Sequence, residues 1–101
     1  MKVAIGSDHG GVELKTALVK ALSGAYEMTD RGPADAASCD YPDYAVAVAK
    51  DVASGAVNFG ILICRSGIGM AMAANRFQNV RAAVCTTVEA AKMTRQHNGA
   101  N

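Results

Sequence analysis

Short apolar runs alternate along this chain with longer segments whose apolar residues recur at helical spacing. Strands are predicted at the apolar runs, which are 3–5, 26–29, 59–63 and 81–85. Helices are predicted at the amphipathic segments, which are 11–23, 40–53, 68–77 and 86–98. The pattern therefore predicts a regular alternation of strand and helix from the first residues onward.

The apolar positions of each helix indicate the face that packs on the sheet. The first helix has a stripe of leucines four residues apart, Leu14, Leu18 and Leu22. The last helix is expected to turn three residues inward, Val88, Ala91 and Met93. Its start has the spacing of a capping box, Thr86-x-x-Glu89.

Strands that alternate with helices of this length are typical of a parallel sheet with helices on both faces. With 101 residues, the chain is expected to form one domain, 1–101. In such sheets, ligands bind beyond the carboxyl ends of the strands. This rule places residues 7–9, after the first strand, beside residues 64–66, after the third.

Composition and charge narrow the class of protein. Hydrophobic residues make up 50% of the chain and charged residues 19%, which indicates a globular protein rather than a disordered one. The net charge of +1 provides no general field to attract nucleic acid or a membrane surface. No leader segment and no membrane span are recognisable, so a cytoplasmic protein is expected.

The three cysteines, Cys39, Cys64 and Cys85, are odd in number and widely spaced. There is no C-x-x-C pair, and neither histidine lies at zinc-ligand spacing from a cysteine. We therefore expect reduced thiols, without a disulfide framework or a structural zinc.

The most distinctive chemistry lies in Cys64-Arg65-Ser66-Gly67-Ile68-Gly69, where a buried strand turns into a helix. Glycine lets the backbone approach a ligand closely, and a helix N-terminus directs N–H groups at an anion. The same position favours the thiolate form of a cysteine. The segment has the outline of an active site. The alternative is a glycine-rich connection whose cysteine is simply a small apolar residue.

Other polar residues at the ends of strands and helices are further candidates. Asp8 and His9 follow the first strand, where they would bind sugar oxygens or, alternatively, cap a helix and face solvent. His97 ends the last helix, where the dipole favours a charged imidazole, or is an ordinary helix-end residue. Tyr41 faces a ligand or packs at a helix start. A site for a sugar phosphate requires side chains that bind hydroxyl groups, a group that transfers protons, and a cradle for the anion. The chain offers a candidate for each.

Five motifs together resemble the B-type ribose-5-phosphate isomerases. They are Gly-Ser-Asp-His-Gly-Gly at 6–11, Asp-Tyr-Pro-Asp-Tyr at 40–44, Ile-Leu-Ile-Cys-x-Ser-Gly-Ile-Gly-Met at 61–70, Ala-Ala-Asn-Arg at 73–76 and Arg-Gln-His-Asn at 95–98. The resemblance covers the chain from end to end. It implies a three-layer, doubly wound α/β fold of flavodoxin or Rossmann type. It also implies conversion of ribose 5-phosphate to ribulose 5-phosphate without a metal or other cofactor. The implied assembly is a homodimer or homotetramer with the active site at the subunit interface.

The resemblance implies a role for each residue of the glycine-rich segment. Cys64 matches the base that moves a proton between C2 and C1 of the sugar through an enediolate. Ser66 matches a residue that stabilises the enediolate oxygen, together with the backbone N–H groups of Gly67, Ile68 and Gly69. Met70 stands where another branch of the family has a glutamate base. The chain therefore resembles the cysteine branch.

Residues outside this segment have implied roles as well. His97 matches the residue that helps to open the furanose ring and reaches across from the other subunit. Contacts with the substrate are implied for Asp8, His9, Tyr41 and Asn98.

The chain departs from the family pattern in two places. Arg65 stands where the family usually has glycine, so it would act on the thiol, meet the phosphate or crowd the sugar. We expect a modest electrostatic role. The sequence stops at Asn101, where family members continue into a fifth strand and C-terminal helices that carry phosphate-binding arginines. The domain is therefore expected to be a truncated form, either a fragment or a natural short version.

Two other functions remain open from the sequence, and a third is disfavoured. The substrate could be a six-carbon sugar phosphate, such as that of an allose- or galactose-phosphate isomerase. The chain could also bind sugar phosphates without converting them. A generic flavodoxin-like mononucleotide binder is disfavoured, because Asp8 and His9 occupy the place of its phosphate loop.

Overall fold

A computed structural model of the chain describes residues 1–35 and 41–101, and only the backbone of Tyr41. The elements follow in the order β1 (Lys2–Ser7), α1 (Val12–Leu22), β2 (Glu27–Asp30), α2 (Tyr41–Ala53), β3 (Phe59–Ile63), α3 (Ile68–Ala74) and α4 (Val88–Asn98). A 3₁₀ turn, His9–Gly11, joins β1 to α1. Cys39 and residue 40, the predicted start of the second helix, lie outside the described residues. α3 ends at Ala74, before the predicted end at residue 77.

The strands form one parallel sheet in the order β2-β1-β3. β1 lies in the centre and is buried from Val3 to Ser7, because helices cover it. Ser7 pairs with Ile63, so β1 and β3 end at the same level. The predicted parallel α/β fold is confirmed, and the residues that follow β1 and β3 lie side by side.

The hydrophobic core lies between the sheet and α2. Its buried members are Ala4, Val48, Val52 and Val57. Gly60 in β3 permits the close approach of α2, since a Cβ at this position would lie 2.8 Å from Val48 Cγ1 and 3.0 Å from Val52 Cγ2. The helix and its buried face agree with the spacing of the apolar residues.

α1 packs differently from the prediction. Leu14, the first residue of the predicted stripe, is 54% exposed, whereas Lys15 is only 1% exposed. Lys15 Nζ donates to both carboxylate oxygens of Asp30, at 2.8 and 2.7 Å. Because the ion pair satisfies the ammonium group, the aliphatic stem of the lysine takes a buried position that the periodicity assigned to leucine.

The segment 81–85, predicted as a strand, forms none. The side chain of Asn75 accepts from Ala82 N at 2.7 Å and donates to Ala82 O at 2.8 Å. Asn101 bonds to both backbone groups of Arg81, and its carbonyl accepts from Gly60 N at 2.8 Å. A cleft of about 680 Å³ lies between the segment and β3. Asparagine groups thus replace the expected strand-to-strand ladder.

α4 has no buried residue. Its predicted inward residues are all exposed, namely Val88, Ala91 and Met93. The helix is attached near its C-terminus, where the Arg95 guanidinium lies 4.6 Å from the centre of the Phe59 ring. The predicted capping box is also wrong, because Ala90 N donates to Thr87 Oγ1 and makes Thr87 the N-cap residue.

Candidate active site

The loop after β3 folds back on itself and places a thiol and a hydroxyl at the start of α3. Gly67 has a φ of 79°, in the left-handed region that glycine adopts without strain. In this conformation Gly67 N donates to Cys64 Sγ at 3.1 Å, and Ile68 N donates to Ser66 Oγ at 3.2 Å. Two N–H groups at this turn are thus directed at side chains of the loop itself, and the cradle for an anion stays a prediction.

Asp8 lies beside this loop at the end of β1. Its backbone N donates to Ile63 O at 2.9 Å, which holds Asp8 next to the strand that leads into Cys64. The Oδ1 atom of Asp8 is buried and has no hydrogen-bond partner within the described part of the chain. A buried acceptor left unsatisfied costs about 1–3 kcal/mol, so this carboxylate favours a ligand that brings hydroxyl donors.

Two residues of the 3₁₀ turn complete this side of the site. The imidazole of His9 is exposed at the start of the turn. Gly11 is buried, and a Cβ on it would lie 2.8 Å from Ile63 Cγ2 and 3.0 Å from Ser7 Cβ. Only glycine lets the turn rest on the ends of β1 and β3, and this contact holds the turn that carries His9 against the end of β3.

Sequence reasoning missed the ionic contacts that fix the loop after β2. Asp30, bonded to Lys15, also accepts from Gly32 N at 2.8 Å, and Gly32 O accepts from Ser7 N at 3.1 Å. Arg31 donates to both carboxylate oxygens of Asp51, and this hydrogen bond and charge raise the pKa of Arg31. The chain after β2 is thereby tied to the end of β1. The only signal was a lysine in a helix and an aspartate at a strand end.

Arg65 is exposed and lines the same cleft as Cys64. Its guanidinium makes no ion pair or side-chain hydrogen bond with any residue of the described ranges. A cation without a partner in the described ranges therefore lines the same cleft as the thiol.

His97 and Asn98 lie at the other end of the sheet. Asn98 O accepts from Arg81 Nε at 2.7 Å, and Arg81 is joined through Asn101 to Gly60, near the start of β3. Cys64 comes after the end of the same strand, about 13 Å further along at ~3.3 Å per residue. Within one chain, Asp8 lies beside the strand that leads into the Cys64–Gly69 loop, and Arg65 is part of that loop. His9 is exposed in the turn after Asp8, and His97 and Asn98 are attached at the opposite end of β3. The position of the Tyr41 side chain stays a prediction.

Residues 1–35 and 41–101 contain no group of three or more His, Cys, Asp or Glu side chains placed to hold a metal ion. None of their helices is long and apolar enough to cross a bilayer.

Comparison with known proteins identifies relatives of the whole chain. The profile of the Ribose/Galactose Isomerase family matches residues 3–101. Ribose-5-phosphate isomerase B of Escherichia coli is 45% identical over 101 residues, which are 99% of this chain and 68% of the relative. The 4-deoxy-4-sulfo-D-erythrose isomerase of a Clostridium species is 43% identical over 103 residues, covering 100% of this chain and 65% of that protein.

A solved structure confirms the fold. Ribose-5-phosphate isomerase B of Clostridium thermocellum superposes with a TM-score of 0.97 at 47% identity, over 100% of this chain and 69% of its own. The resemblance inferred from the five motifs is thus confirmed, as is the doubly wound α/β fold class. The chain spans about two thirds of these relatives and belongs to the ribose/galactose isomerase family of sugar-phosphate isomerases.

Proposed function

We propose that the chain interconverts ribose 5-phosphate and ribulose 5-phosphate, with Cys64 as the base. The observation that carries the proposal is the hydrogen bond from Gly67 N to Cys64 Sγ, next to the unpartnered carboxylate oxygen of Asp8. The bond holds the Cys64 sulfur at the start of α3, and a fixed position is what a base in proton transfer requires. The neighbouring carboxylate offers an acceptor for the hydroxyl groups of the sugar.

In the proposed reaction the Cys64 thiolate removes the proton from C2 of the open-chain aldose. The C2–H electron pair forms the C1–C2 double bond, and the aldehyde oxygen becomes an oxyanion. Return of the proton to C1, with transfer of the O2 proton to O1, gives the ketose. A well-placed base contributes about 10²–10⁴-fold to such a step.

The oxyanion is proposed to bind at the start of α3, where Ser66 Oγ and the N–H groups of Ile68 and Gly69 are the proposed donors, while the Gly67 N–H keeps its bond to Cys64 Sγ. Since Ile68 N already donates to Ser66 Oγ at 3.2 Å, the oxyanion would replace that hydroxyl as acceptor. The freed hydroxyl would then donate to the same oxygen. Loss of one such donor typically costs about 10²–10³-fold in kcat. Asp8, His9 and Tyr41 are proposed to bind the sugar hydroxyls.

Substitution of the base tests this proposal. Cys64→Ala should abolish conversion of ribose 5-phosphate, whereas Cys85→Ala, which changes another thiol lining the same cleft, should retain it. In deuterated water, ribulose 5-phosphate formed by the unmodified chain should carry deuterium at C1, as followed by proton NMR. Equal loss of activity in both variants, or full activity of Cys64→Ala, would contradict Cys64 as the base.

We propose further that a complete site needs two copies of the chain, with His97 and Asn98 supplied by the second copy. The separation of these residues from Cys64 within one chain supports this. Cys64→Ala and His97→Ala should each be inactive alone. An equal mixture, refolded together, should regain about a quarter of the activity, because half of the dimers are mixed and each has one intact site. A mixture without activity would contradict a shared site.

Arg65 is proposed to contact the anionic group of the substrate, because its guanidinium has no partner in the described ranges and lines the same cleft as the thiol. Arg65→Gly should raise KM about tenfold, equivalent to about 1.4 kcal/mol, with little change in kcat. Arg76→Gly, which removes another exposed arginine, is the matched control. An unchanged KM and kcat for Arg65→Gly would remove the proposed role.

Two alternative functions can be tested with the same purified protein. A six-carbon substrate is favoured by the breadth of the matching family, which includes galactose isomerases by its description. Parallel assays with allose 6-phosphate and galactose 6-phosphate test it. Binding without conversion is favoured by the exposed α4 beside an open cleft. Retention of ribose 5-phosphate in equilibrium dialysis, with no ketose formed, would indicate that binding function.

A further inference from the structure

We infer that Asn75 is a positioning residue for the Cys64 loop, an inference that rests on the proposed isomerase function for its catalytic consequence. Asn75 follows α3 directly, and its side chain is exposed. Its amide makes two hydrogen bonds with the backbone of Ala82, donating at 2.8 Å and accepting at 2.7 Å. An asparagine amide paired in this way has the same donor and acceptor arrangement as a neighbouring β-strand.

This pair compensates for the missing ladder between the segment 81–85 and β3. The cleft separates the segment from the sheet, so side chains rather than strand pairing hold it in place. Asn101 secures Arg81 at the far end of the segment. Asn75 secures Ala82, the residue nearer to the active-site loop, and therefore fixes the course of the chain that follows.

The segment that Asn75 holds contacts the active-site loop through Val84. A Cβ built on Gly67 would lie 3.4 Å from Val84 Cγ1, which is ordinary van der Waals contact. The Val84 side chain therefore lies beside Gly67, the residue whose N–H donates to Cys64 Sγ. Since α3 follows Gly67 directly and ends just before Asn75, one short helix joins the loop to the residue that holds Ala82. Release of Ala82 would free Val84 and loosen the left-handed turn at Gly67.

The experiment compares two asparagine variants by amide hydrogen exchange and steady-state kinetics. Asn75→Ala should accelerate exchange at the Gly67 amide at least tenfold, relative to the buried Ile5 amide in β1. The matched control is Asn58→Ala, which removes a bond from Lys2 N to another exposed asparagine, 2.8 Å long, at the opposite end of the sheet. It should leave the ratio of Gly67 to Ile5 exchange unchanged. Since a small displacement of a catalytic group can cost about 10²-fold, kcat of Asn75→Ala should fall about 10- to 100-fold at nearly constant KM.

Asn75→Asp keeps the acceptor for Ala82 N and loses the donor to Ala82 O, so its Gly67 exchange should be intermediate. This variant provides the measurement if Asn75→Ala does not fold. Unchanged Gly67 exchange, or a Gly67 change that only parallels Ile5, would overturn the inference. The exchange measurement does not depend on turnover. If the unmodified chain is inactive, the isomerase proposal is contradicted, but exchange at Gly67 still tests the role of Asn75.

Discussion

Gly11→Ala is expected to destabilise the chain and impair the site together. A Cβ at Gly11 would approach Ile63 Cγ2 to 2.8 Å, Ser7 Cβ to 3.0 Å and Ile63 O to 3.2 Å. The last contact is with backbone, which cannot rotate away. Overpacking of this kind typically costs about 1–3 kcal/mol. Replacing glycine by alanine regains about 0.4–1 kcal/mol through the unfolded chain.

The expected net loss is therefore about 1–2 kcal/mol, which lowers the folded-to-unfolded ratio about 5- to 30-fold. Gly10→Ala is the matched control in the same turn, since its Cβ would meet only Asp8 Oδ1, at 3.5 Å. It should be neutral or slightly stabilising. Urea unfolding measures both variants. In the Gly11 variant the displaced ends of β1 and β3 should also lower kcat. Equal stability of the two variants would refute the argument from close packing at the strand ends.

Three further substitutions test other parts of the structure. Asp30→Asn should cost about 3 kcal/mol because it leaves the Lys15 ammonium buried without its counter-charge, whereas Lys15→Met should cost less than about 1 kcal/mol; urea midpoints that agree for the two variants would contradict this asymmetry. Thr87→Ala should destabilise the chain by about 1 kcal/mol through loss of the N-cap, with Thr86→Ala neutral in the same thermal melts. Gly67→Ala should cost about 1–2 kcal/mol in stability, because alanine is strained at a φ of 79°, and it should reduce turnover in the isomerase assay.

The central part of the fold could be predicted because local pattern and burial agree there. The run 59–63 is apolar throughout, and it is a strand over the predicted residues. The close packing of α2 on the sheet depends on Val48 and Val52, whose spacing was readable. Parallel strands end at one edge of a sheet, so the meeting of Asp8 with the Cys64 loop also followed from the order of elements.

Tertiary contacts determined the parts that the pattern did not predict. Residues 81–85 have the composition of a strand, but a strand needs a partner, and Asn75 and Asn101 take the backbone groups instead. Lys15 is buried because Asp30, 15 residues away in sequence, accepts two hydrogen bonds from it. Helical periodicity contains no information about such a pair. For the same reason the inward face predicted for α4 was wrong, since an apolar residue is buried only where another element covers it.

The side of β3 that faces away from β1 carries no second strand in the described structure, although Gly60 N donates to Asn101 O there, and this has a consequence for the chain in concentrated solution. Phe59–Ile63 is a short, uncharged, apolar segment, and β1 is its only strand neighbour in the described structure. An open edge of this composition is a template for pairing with other chains, and thus for aggregation. Arg65 follows the strand closely, and the guanidinium of Arg95 covers the ring at its beginning. These two charges flank the apolar segment and oppose its pairing with other chains. Replacing both arginines by neutral residues should therefore increase aggregation of the chain.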